Sequence, residues 1–178
     1  MNDVERAQVL DEKEFAALYD ATHPRVFAYA VSRCGRQLAE EVVSETFAVA
    51  WRRRADIPRR AVLPWLLGVA RNVTRELYRD EVRQAALENA LRGWAKEVTG
   101  DVADEVARRS AVLSALVELS DEDKELLTLV SWHGLSSAQA ARVVGCSVSA
   151  FFVRLHRARR RLEAALLVAK EEETCGGR

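Results

Sequence analysis

The chain has 178 residues, with 27 Lys and Arg against 27 Asp and Glu, and is 49% hydrophobic and 30% charged. That composition excludes a disordered chain, and only 8 Gly and 3 Pro argue against a many-turned sandwich or barrel, leaving an all-α chain as the expectation. The length suits one medium domain or two small ones, and the longest uncharged apolar run, Ala61 to Ala70, contains Pro64 and is too short to cross a bilayer.

In chain order, Asp11 and Glu14 form a capping box that opens a first helix through Phe15, Leu18 and Tyr19. His23-Pro24 puts proline at a first helical position, so a second helix is expected up to Gly35, lined by Val26, Phe27, Ala30 and Val31. A third is expected from about Gln37 to Arg54, on the stripe Leu38, Val42, Val43, Phe47, Val49 and Ala50, until Asp56, Ile57 and Pro58 break it. A fourth begins near Pro64 and continues through Trp65, Leu66, Val69, Val73 and Leu77. These four helices make one expected bundle over residues 1–83. Residues 84–109 hold Gly93, Thr99, Gly100 and mixed charges, and read as a flexible linker with at most a short helix.

A second small helical domain is expected over residues 110–170, with a tail at 171–178. Val112, Leu113, Leu116 and Val117 line its first helix, and Ser120 caps the next, which ends at His133-Gly134. Ser136 and Gln139 make another capping box, opening a helix from Ser137 to Val144. Gly145-Cys146-Ser147 is a tight turn with Ser147 as the next N-cap, and a long helix follows from Val148 to about Val168.

No catalytic centre, cofactor or metal site is expected. His23, His133 and His156 lie far apart, and no nucleophile elbow, zincin motif or phosphate loop occurs. Cys34, Cys146 and Cys175 are odd in number and widely spaced, and the first ten residues carry no export signal, so a reducing cytoplasm is the expected setting. The zero net charge hides segregation. Arg52, Arg53, Arg54, Arg59 and Arg60 form one cluster, and Arg142, Arg154, Arg157, Arg159, Arg160 and Arg161 a second. Each cluster alone reads equally well as a solvated helix face or a phosphate contact.

Leu135 to Leu162 says more, because a short capped helix, a glycine turn and a longer helix make a helix-turn-helix. Ala140 and Ala141 suit the crossing of the two helices, Phe151 and Leu155 would face the core, and the second helix projects a basic face suited to a major groove.

Three stretches together resemble the small extracytoplasmic-function type of bacterial RNA polymerase sigma factor, with region 2 and region 4 only. Leu38 to Trp51 resembles region 2.2. Trp65 to Asn72, followed by Arg75 and Arg79, resembles regions 2.3 and 2.4. Gly134 to Ser149, followed by Arg154 to Arg159, resembles region 4.2. The resemblance implies a non-enzymatic protein that binds core RNA polymerase, promoter DNA and an anti-sigma factor, without a membrane. It places Glu41, Ser44 and Glu45 against the polymerase clamp. It places Asn72 against a flipped base of the minus-ten element, with Ile57 closing over that base and Arg59, Arg60 and Arg75 on the strand. For the minus-thirty-five element it implies Ser147, Val153, Arg154, His156, Arg157, Arg160 and Arg161. Phe152 and Val153 depart from the polar residues usual there, which leaves three readings: contact with thymine methyls, a mainly electrostatic grip, or a protein partner. Asn72 has a structural alternative, a bond to a loop carbonyl. For the whole chain the alternative is a helix-turn-helix regulator or sigma-like adaptor that does not support initiation.

Overall fold

Asp11 and Glu14 cap the first helix reciprocally: the Asp11 carboxylate accepts from the Glu14 N–H at 2.7 Å, and the Glu14 carboxylate from the Asp11 N–H at 3.1 Å. From that cap, in a computed structural model that describes residues 9–77 and 115–175, α1 runs over Glu12–Cys34. Pro24 lies inside it, so the two helices expected on either side of His23 are one. An aromatic ladder crosses the proline and offsets the lost hydrogen bond. The His23 ring lies 5.0 Å from Tyr19 and 6.1 Å from Phe27, and both Tyr19 and His23 also pack on Phe47 of the neighbouring helix.

One residue separates α1 from α2, which spans Arg36–Arg52. That residue is Gly35 at φ 76°, a left-handed value that a side chain would resist. Arg53 to Ala61 then form a loop, and α3 spans Val62–Leu77. The N-terminal unit therefore has three helices, not four, among the described residues. Its core holds Val26, Tyr29, Ala30, Val42, Phe47, Leu66, Leu67, Ala70 and Val73. On α3 the deepest positions are Leu66, Leu67 and Ala70, whereas Trp65 and Val69, expected in the core stripe, are only partly buried.

The second unit opens on a helical turn at 115–117, and the expected linker at 84–109 lies outside the described residues. Next comes α4 (Asp121–Ser131), where the Ser120 hydroxyl accepts from the Asp123 N–H. Then α5 (Ser137–Val144) carries the expected capping box between Ser136 and Gln139, at 2.9 and 3.3 Å. Its turn closes on Gly145 at φ 76°, and the Ser147 hydroxyl caps α6 by accepting from the Ala150 N–H. Helix α6 (Val148–Cys175) continues seven residues past the expected end at Val168. Phe151, Leu155 and Ala158 point inward at helical spacing and meet Ala140, Ala141 and Val144.

The two units are packed together, α5 on α3 and α4 on α1, and their apolar interiors form one connected core. No described helix is long and apolar enough to cross a membrane.

Candidate nucleic-acid and polymerase interfaces

The loop between α2 and α3 is held by its own backbone and by two stacked arginines. Ala61 N–H donates to Pro58 O at 2.9 Å, and Asp56 N–H to Arg53 O at 2.8 Å. Arg53 pairs with Asp56 at 3.1 Å and lies 5.7 Å from the Trp65 ring centre, while Arg54 sits 4.5 Å over Trp51. The tip arginines, Arg59 and Arg60, are exposed and form no ion pair among the described residues. Ile57 departs from the expectation that it closes over a base. Its side chain is buried with the core of the unit, so it anchors the loop from beneath. A β-branched apolar side chain gains more there than in water.

Asn72 projects from α3 beside this loop and is exposed. Among the described residues its amide forms no hydrogen bond, neither to the loop carbonyls nor to any side chain. The loop-carbonyl bond on which the structural alternative rests is thus absent among the described residues. Arg75 is exposed one turn further on. Asn72, Arg75, Arg53 and Trp65 line one wall of a cleft of about 490 Å³ whose other wall is Arg142, Val143 and Gly145 of the second unit.

On α2, Glu41 and Ser44 stand on the exposed face, as the expected docking position requires. Glu45 is already engaged, pairing with Arg52 two turns on at 2.7 Å. Both side chains are about half exposed, so the pair is weak and exchangeable.

On α6, Phe152, Val153, His156, Arg157 and Arg160 form a continuous exposed face, with Ser147 at the N-terminal end. Two of the expected DNA-contacting arginines are occupied instead. Arg154 reaches Glu122 at 3.0 Å, and Arg161 donates to both oxygens of Asp123 at 2.7 and 2.9 Å. Both acids sit in the first turn of α4, where the helix dipole also favours them.

The residues that sequence reasoning missed lie between the units. Glu125, Arg33, Arg71 and Tyr29 form a buried polar cluster in which the Glu125 side chain is 3% exposed. Burial alone would push the Glu125 carboxyl up, but Arg33 and Arg71 hold it below the usual range. Burial, with Glu125 beside it, drives the Tyr29 hydroxyl well above its ordinary value, so it stays a donor. One signal pointed here: Arg33 and Glu125 fall on the apolar stripes of their own helices, among Tyr29 and Ala30 and among Leu126 and Leu129.

The chain matches the Sigma-70 region 2 family over residues 18–84 and the family described as Sigma-70, region 4 over residues 109–162. It is 31% identical to the RNA polymerase sigma factor CnrH of Cupriavidus metallidurans, over 87% of this chain and 94% of that one. It is 32% identical to the ECF RNA polymerase sigma factor BldN of Streptomyces coelicolor, over 92% of this chain but 64% of that longer protein. The chain belongs to the extracytoplasmic-function sigma factors. Its fold agrees with solved members: CnrH in complex with the cytosolic domain of CnrY superposes with a TM-score of 0.63 at 28% identity, covering 92% of this chain and 94% of that one. The sigma factor RpoE in complex with the anti-sigma factor NepR, from Bartonella quintana, gives 0.61 at 23% identity, over 88% and 98% of the two chains. A sigma factor directs core polymerase to promoters, and the two matched regions are the ones on which the three candidate surfaces lie.

Proposed function

We propose that this sigma factor reads the minus-ten element as unstacked single strand through Asn72, with Arg59, Arg60 and Arg75 on the phosphates. The observation that carries this is the exposed Asn72 amide, without a hydrogen bond among the described residues, beside an Arg-rich loop that is held by its own contacts. An amide offers a donor and an acceptor to a Watson-Crick edge, and good bidentate contacts discriminate by about 1–3 kcal/mol. Ile57 supports the loop and does not touch the base.

The minus-thirty-five element is met by the α6 face of Phe152, Val153, His156, Arg157 and Arg160, with Ser147 at its start. Arg154 and Arg161 contribute after exchanging their acidic partners for phosphate. Glu41, Ser44 and Glu45 dock on the basic surface of the polymerase clamp, Glu45 by exchanging Arg52. The protein works by binding alone, in the cytoplasm where its free Cys34 and Cys146 thiols stay reduced. An anti-sigma factor restrains it, and the exposed apolar pair Phe152 and Val153 gives such a partner a grip.

The test is transcription in vitro with core polymerase on genomic fragments, with start sites mapped, for the native chain and Asn72→Ala. The variant is expected to keep polymerase binding and melting temperature while losing preference at one minus-ten position. Unchanged base preference with lost stability would return Asn72 to a structural role.

A further inference from the structure

Four arginines line the cleft beside Asn72, and among the described residues no carboxylate does. Two of the four already have their counter-charge. Arg53 pairs with Asp56 at 3.1 Å, and Arg71 donates through Nε to both Glu125 oxygens, at 3.0 and 3.1 Å. Arg75 of α3 and Arg142 of α5 are exposed and form no ion pair or hydrogen bond among the described residues. These two guanidiniums belong to opposite walls, and they repel each other unless an anion comes between them. Each presents a planar fork of donors that matches the oxygens of a phosphate.

The rest of the cleft says what that phosphate is attached to. Trp65, Gly68, Asn72 and Arg75 follow one another along α3 at helical spacing, so they share one face. Glycine is the poorest helix former after proline, so Gly68 in mid-helix needs a reason. No close neighbour supplies one, because a Cβ at Gly68 would meet nothing within 4 Å. The missing side chain leaves open space on the stripe between the Trp65 ring and the Asn72 amide. A planar heterocycle suits that space, with an aromatic surface to lie against and an amide that offers donor and acceptor to its edge. The cleft of about 490 Å³ falls in the range of small-molecule sites, roughly 300–1,000 Å³, and holds more than a lone phosphate.

We propose that this cleft is a nucleotide site, taking a nucleoside di- or triphosphate with its base over Gly68, its edge on Asn72 and its phosphates between Arg75 and Arg142. The proposal rests on the assignment of Asn72 as the minus-ten reader for one consequence only, that nucleotide and promoter strand exclude each other. The site itself rests on the lining of the cleft.

The test is isothermal titration calorimetry on the full chain, without polymerase or DNA, using ATP, GTP and inorganic pyrophosphate. At least one nucleotide is expected to bind roughly tenfold or more tightly than pyrophosphate, the increment that a stacked base supplies. Arg142→Ala is expected to weaken the nucleotide by roughly tenfold to a hundredfold. Lys13→Ala removes the same charge from a residue that does not line the cleft, and is expected to change nothing. Gly68→Leu fills the open space, so it is expected to abolish the advantage of the nucleotide while leaving pyrophosphate binding as it was. Leucine is also the better helix former, so the melting temperature of that variant is not expected to fall. Equal affinity for nucleotide and pyrophosphate would mean an adventitious ion only and overturn the proposal, as would no binding at all. Native affinity in both Arg142→Ala and Gly68→Leu would put the nucleotide elsewhere and overturn it too. If the nucleotide binds as expected while Asn72→Ala leaves minus-ten preference intact, the site stands and the base-reading assignment falls. The reverse pair of results overturns the site and keeps that assignment.

Discussion

Arg157 and Arg161 sit four residues apart on one helix and carry the same charge, yet they have different jobs. Arg157 is exposed and unpaired among the described residues, whereas Arg161 donates twice to the nearly buried Asp123 carboxylate. Arg157→Ala is expected to weaken promoter binding with no change in melting temperature, by about 1–3 kcal/mol and at one position if it reads a base. Arg161→Ala is expected to lower stability by about 1 kcal/mol, because it strands Asp123. Melting curves and a promoter-variant panel on the two proteins separate these effects. The whole basic face was legible from spacing, since α6 places 152, 153, 156, 157 and 160 away from Phe151, Leu155 and Ala158. Which arginines were already paired was not legible, because the partners Glu122 and Asp123 lie more than thirty residues away in an ordinary-looking acidic run. Ile57 failed in the opposite sense. Its position in an Arg-rich loop suggested exposure, but burial of an apolar side chain decided where it went.

Helix ends were the most readable elements. The boxes at Asp11 and Ser136 and the caps at Ser120 and Ser147 stand where the sequence placed them, because a cap is satisfied by residues three positions away. Pro24 misled for the same local reason: read alone it starts a helix, but Tyr19, His23 and Phe27 span it and dock on Phe47. Tertiary contact outweighed the local rule. The turn of the helix-turn-helix offers a clean check. A Cβ at Gly145 would meet nothing within 4 Å, so Gly145→Ala pays only for its φ of 76°. Thermal denaturation is expected to show a loss of about 1–2 kcal/mol. A loss well above that would mean that the turn also packs against α3.

At the scale of the molecule, the sequence marked Arg33 and Glu125 as charges on apolar stripes but did not show that they meet across the interface between the units. Glu125 meets Tyr29 and Arg71 across separations of 96 and 54 residues, and no periodicity connects positions so far apart. Another residue of that interface makes it sensitive to acid. Burial, with Arg25 nearby, holds the His133 imidazole down at about 4, and its ring stands edge-on to Tyr29 at 5.6 Å. Between that value and an unfolded value of about 6.5, the unfolded chain binds more protons than the folded one. Stability is therefore full above about pH 6.5 and declines as the pH falls toward 4, by up to about 1.4 kcal/mol per unit. Glu125, held below the usual carboxylate range, does not titrate in that window. Melting temperature followed from pH 7.5 to 5 is expected to fall, and His133→Gln to flatten the slope. An unchanged slope in that variant would assign the acid sensitivity to another group.

The single-residue joint at Gly35 leaves no slack between α1 and α2. Each residue of an α-helix turns the chain by about 100°. One residue added to the first turn of α2 would thus carry Glu41 into the buried site of Val42 and bring Val43 out into the exposed site of Ser44. The angle at which the acidic face would meet polymerase in the proposed docking is in this way indexed to α1, like a key cut on a rigid shank. Length changes at this joint would misalign the key, while the caps and the core of each helix stayed intact.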